Sequence, residues 1–84
     1  MYYLYILKSQ KDDSLYIGQT NNLKRRLFEH NNGVSKYTKL HKPFILKYYE
    51  AYLNKDDSIK REARLKQDGR ALSVLKRRIS KSLE

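Results

Sequence analysis

The chain has 84 residues, three glycines, one proline and no cysteine, which leaves room for a single hydrophobic core and excludes disulfides, thiolate metal sites and a cysteine nucleophile. Nineteen Lys and Arg against nine Asp and Glu give a net charge of +10, and a folded unit this basic attracts polyanions, nucleic acid first among them. No apolar run approaches the roughly 18 residues that a membrane-crossing helix needs, so the expectation is one soluble, cytoplasmic domain over residues 1–84, with no membrane partner.

The start, Met1-Tyr2-Tyr3-Leu4-Tyr5-Ile6-Leu7-Lys8, lacks the basic lead and small-residue cleavage site of a secretory signal. Its unbroken apolar, β-prone character predicts a strand over about 2–8 that is covered on both faces. Ser9 to Ser14 is a turn cluster, and Leu15 to Gln19 resumes a strand, which makes an antiparallel hairpin. The loop length is ambiguous by one residue, and a one-residue slip turns every side chain to the other face. Whether Tyr5 and Tyr16 share a face therefore stays open at this level.

Thr20-Asn21-Asn22 suits a helix start and Asn31-Asn32-Gly33 a helix stop, with Leu23 and Leu27 at i,i+4 between them. That predicts a helix over 22–31. Ser35 to Lys42 is a polar loop, and Pro43 leads into a third strand, Phe44 to Tyr52. Asn54, Asp56 and Asp57 head a second helix, about 56–67, with Ile59 and Ala63 on its inner face. Asp68-Gly69 breaks it, and a last helix, about 70–82, puts Leu72, Leu75 and Ile79 on one side. The fold class is α+β: a three-stranded antiparallel sheet flanked by helices, in the order β-β-α-β-α-α.

There is no Gly-rich phosphate loop, and the acid pairs Asp12-Asp13 and Asp56-Asp57 sit where turns and helix starts explain them. Three features ask for more. Arg26 and His30, at i,i+4, fall on or beside the Leu23/Leu27 face, where a cation is costly unless paired or snorkelling to water. Glu62 borders the inner face of the second helix among Lys60, Arg61, Arg64 and Lys66; an ordinary i,i+4 pair with Lys66 also accounts for it. Eight tyrosines stand against two phenylalanines, and β-propensity covers Tyr2, Tyr48, Tyr49 and Tyr52.

Tyr3-Leu4-Tyr5, then ten residues, then Tyr16-Ile17-Gly18, then Arg26 to His30, then Glu62 resembles the GIY-YIG nuclease superfamily, and most of all its small stand-alone bacterial members. The likeness runs from Tyr2 to about Leu75. It implies a metal-dependent endonuclease acting on phosphodiester bonds, DNA ahead of RNA. Tyr5, Tyr16, Arg26, His30 and Glu62 would be catalytic, with Glu62 holding a divalent ion, Mg²⁺ or else Mn²⁺. Gly18, Lys24, Arg25 and Lys66 would lie against the substrate. The chain departs from the pattern in having Tyr3-Leu4 where Gly-Ile is usual, and no asparagine from Val74 to Arg78.

The chemistry suits those residue types. A lone carboxylate holds a hard cation completed by water and phosphate oxygens, and a guanidinium fork matches non-bridging oxygens. A phenol titrates near 10, so a tyrosine base at about pH 7.5 needs about 3.4 kcal/mol of help from nearby cations. Tyr16 is assigned as the base, Tyr5 as orienting water or phosphate, and His30 as assisting proton transfer. The rival readings are a non-catalytic nucleic-acid-binding module and a basic ribosome- or membrane-associated protein. A monomer or weak dimer is expected, with a protein partner as one source of specificity.

Overall fold

The apolar run at the start of the chain becomes the middle strand of the sheet. In the computed structural model, which describes residues 1–84, β1 (Tyr2–Ser9) pairs antiparallel with β2 (Leu15–Thr20) on one side and β3 (Phe44–Tyr52) on the other. Helices α1 (Leu23–Asn31), α2 (Lys55–Gln67) and α3 (Gly69–Arg78) follow in the expected order. Helices cover both faces of β1, so Leu4, Tyr5, Ile6 and Leu7 are all buried. That two-sided burial is why the strand reads as a run and not an alternation.

Register settles what the loop length left open. Tyr5 lies opposite Gly18, and Leu7 opposite Tyr16, so Tyr5 and Tyr16 are diagonal neighbours on one face. On that face Tyr5, Leu7 and Phe44 form a small core against Leu23 and Leu27 of α1. On the other, Leu4, Ile6 and Ile17 meet Leu65 of α2 and Leu75 of α3.

The capping residues work as their chemistry suggests. The Asn22 side chain accepts from the Arg25 N–H, Asn54 from that of Asp56, and Asp68 from those of Arg70 and Ala71. Gly33, at φ +73°, supplies the left-handed turn after α1. One boundary differs from expectation: regular helix ends at Arg78, with turns from Ile79 to Leu83. Ser80 and Ser82 are weak helix formers, yet Ile79 and Leu83 still pack on the core. At the hairpin tip, the Asp12 carboxylate takes the Ser14 N–H and hydroxyl and stands 2.5 Å from His41 Nδ1. Those contacts, the Ser14 hydroxyl foremost, hold its pKa well below the usual carboxylate range. No helix is long and apolar enough to cross a membrane.

Candidate active site

The last turn of α1 drops His30 into the space beneath the sheet, where it is wholly buried. Its Nε2 stands 2.9 Å from the Tyr5 hydroxyl and its Nδ1 2.7 Å from Thr38 Oγ1. Burial, reinforced by the charge of Arg26, depresses the imidazole pKa to about 4. The ring is therefore neutral at pH 7, with one nitrogen donating and the other accepting. We assign the tautomer from the network. The Thr38 hydroxyl, buried with no other partner, donates to Nδ1; Nε2–H then donates to the Tyr5 oxygen. That leaves the Tyr5 O–H to point away from His30.

Tyr5 itself is 2% exposed. Burial pushes its phenol up to about 12, with Tyr16 and Glu62 adding to the rise and Arg26 opposing it. Its ring lies across Gly18: a Cβ there would stand 2.3 Å from the Tyr5 oxygen. The glycine of the Tyr-Ile-Gly motif makes room for a neighbouring side chain. Sequence reasoning placed it against the substrate.

Arg26, half-buried on α1, sends Nη1 to Glu29 Oε1 at 3.0 Å. Burial works against its charge, but Glu29 and the adjacent Tyr5 hydroxyl outweigh burial and keep it ionised. The cost of a cation on an inner face is thus met by Glu29, one turn along, a partner readable from i,i+3 spacing but not singled out from the sequence.

Tyr16 is half-buried, its ring centroid 6.3 Å from that of Tyr5 and 4.8 Å from that of His30. Its hydroxyl has no hydrogen-bond partner within the protein. Tyr16 is one wall of a cavity of about 400 Å³, with Leu15, Ile17, Tyr37 and Lys66. The Lys66 ammonium sits 5.6 Å from the centre of the Tyr16 ring. From there it reaches Glu62 Oε2 at 3.0 Å, completing the expected i,i+4 pair. Glu62 also acts on Tyr5 by charge. Tyr5, Tyr16, Arg26, His30, Glu62 and Lys66 are thus neighbours in one region.

Lys24 is exposed and stands apart from this group. Arg25 turns to Asn21 Oδ1 at 2.9 Å and lines a separate polar hollow with Tyr2, Gln19 and Lys55. Two residues of the site were invisible in the sequence. Thr38 and Tyr37 belong to a polar loop whose composition carries no sign that it folds back over His30 and Tyr16.

No three His, Cys, Asp or Glu side chains gather at any one place. Glu62 offers one carboxylate, a quarter exposed and paired with Lys66. That donor chemistry fits a hard divalent ion that keeps several waters, and does not fit zinc.

Comparison with known proteins places the chain among small GIY-YIG-domain and UPF0213 proteins. Residues 1–80 match the family model described as the GIY-YIG catalytic domain. A UPF0213 protein of Clostridium perfringens is 49% identical over 67 residues, 79% of this chain and 71% of its own length. One from Staphylococcus saprophyticus is 42% identical over 66 residues, 77% and 79% of the two chains. The solution NMR structure of a UPF0213 protein from Bacillus halodurans is 33% identical, with a TM-score of 0.52 over 90% of this chain and 86% of that one.

Proposed function

Because the chain belongs to the GIY-YIG catalytic-domain family, a nuclease family, we propose that it is a divalent-metal-dependent endonuclease hydrolysing phosphodiester bonds in nucleic acid, DNA ahead of RNA, with residues 1–84 acting as one catalytic domain. The reading rests on one observation: a phenol without a protein partner, Tyr16, lines a cavity it shares with Lys66, whose ammonium holds the Glu62 carboxylate.

Tyr16 takes the proton of the attacking water. Tyr5, its oxygen occupied by His30 and flanked by Arg26, is no base and orients the water or the phosphate. Arg26 exchanges Glu29 for the non-bridging oxygens, where its planar fork neutralises charge as it develops. His30 was expected to assist proton transfer. With both ring nitrogens engaged inside the protein and a pKa near 4, it serves better as the strut between Thr38 and Tyr5. A divalent ion on Glu62, when bound, supplies charge neutralisation at the phosphate and the leaving oxygen.

The test is incubation with single-stranded, duplex and branched DNA and RNA in Mg²⁺ and in Mn²⁺, beside the Glu62→Ala protein. Cleavage by the parent and none by the variant is expected. Binding without cleavage, tighter in Glu62→Ala, would instead identify a non-catalytic binding module.

A further inference from the structure

We propose that the cavity between Tyr16 and Tyr37 is a nucleobase site: it takes the base of an unpaired nucleotide beside the phosphate being cut, so the substrate strand is single or locally unpaired there. The position of that phosphate rests on the nuclease reading; the affinity of the cavity for a base does not.

The lining carries the argument. A phosphodiester backbone is held by cations and N–H groups, yet four of the five walls, Leu15, Tyr16, Ile17 and Tyr37, are apolar or aromatic. Lys66 is the exception, and it lies at the Tyr16 end. The cavity is therefore cationic at one end and aromatic at the other, the same polarity as a nucleotide. Tyr37 is 75% exposed, its hydroxyl bonded to nothing in the protein, its ring 5.6 Å from that of Tyr16. Its loop also holds Val34 at 65% and Leu40 at 72% exposure. An aromatic ring left in water on so basic a protein has its π-face free to stack. A volume of about 400 Å³ falls within the range of about 300–1,000 Å³ usual for small-ligand pockets. A paired, stacked base has its faces covered and cannot reach such a wall; a base turned out of the stack can.

The experiment uses the full chain carrying Glu62→Gln, without divalent metal so that strands stay intact. Single-stranded DNA, single-stranded RNA and duplex DNA carry 2-aminopurine at successive positions. Stacking on Tyr37 should quench the probe in at least one of the single strands, and which one identifies the sugar. Tyr37→Ala should remove the quench and weaken single-strand binding by about ten- to a hundredfold, the range that base–aromatic stacking sets, with duplex binding changed less than twofold. Tyr37→Phe and Tyr37→Trp should keep both quench and affinity, which separates stacking from any loss of fold in the alanine protein. Unchanged single-strand affinity in Tyr37→Ala, or equal losses on single strand and duplex, overturns the proposal. The two readings fail separately. A chain that cuts nothing but still stacks bases on Tyr37 sinks the nuclease; one that cuts duplex with Tyr37→Ala unimpaired sinks the base site.

Discussion

The two faces of the sheet use the same materials to opposite ends. Under α2 and α3, Tyr48 and Tyr52 both donate to Glu50, the first at 2.6 Å, and Arg61 clasps the same carboxylate with Nε at 3.0 Å and Nη2 at 3.1 Å. Burial, and then Glu50 itself, push both phenols up to about 12. The two phenols and the carboxylate there are spent on one another and on Arg61, so the cluster holds the sheet to α2. On the α1 face stand Tyr3, Tyr5, Tyr16 and Tyr49, the middle two beside His30, with the cation Arg26 on the helix and no carboxylate among them on the sheet. Tyr5 is fixed by His30, and Tyr16 is left open. The lesson is that strand tyrosines do not by themselves mark a site; what their hydroxyls are already bonded to separates the two clusters.

Replacing the open phenol should sharpen that contrast most. Tyr16→Phe is expected to slow cleavage by about 10²–10⁴-fold, the usual worth of a general base, with the melting temperature little changed. Tyr5→Phe should cost less in rate. A dead Tyr5→Phe beside an active Tyr16→Phe would exchange the two roles.

Next in size is the pH dependence of the α1 face. The folded chain holds His30 near 4, below the ordinary 6.5, so between those values the unfolded chain binds more protons. The contribution is full above the ordinary pKa and lost as pH falls toward the folded one. Urea titrations should show roughly 2–3 kcal/mol lost between about pH 7.5 and 4.5 from this residue. The slope should be shallower in His30→Gln; parallel pH profiles would mean that His30 is not buried as the neutral ring.

On the other face the effect is on stability alone. Glu50→Gln leaves Arg61 and two phenols short of an anion, and about 2 kcal/mol of stability should go. Cleavage at a temperature where the variant is folded should stay within about threefold of the parent. A severe loss of rate in folded Glu50→Gln would make the second cluster part of the machinery and break the comparison.

How much of this the sequence disclosed varies by level. The strand Phe44–Tyr52 and the caps at Asn22, Asn54 and Asp68 were readable because local side-chain chemistry determines them. The last helix was over-extended, since an apolar i,i+3,i+4 pattern continues through Ile79 whether the backbone is helix or turn. The shared face of Tyr5 and Tyr16 depends on a hairpin register that no local pattern specifies. The role proposed for Glu62 comes only from the family pattern, because its pairing with Lys66 explains it equally well as surface structure. Thr38 and Tyr37 reach the site through the path of a loop, which composition does not encode.

A partnerless phenol, Tyr16, beside the Lys66-held Glu62 carboxylate is what the proposed nuclease activity depends on. Single-turnover cleavage of labelled single-stranded and duplex oligonucleotides in Mg²⁺ by the parent, Tyr16→Phe and Glu62→Ala tests it most directly. The account expects products from the parent and almost none from either variant. Equal cleavage by all three proteins, or an intact substrate with the parent in every arm, would contradict it.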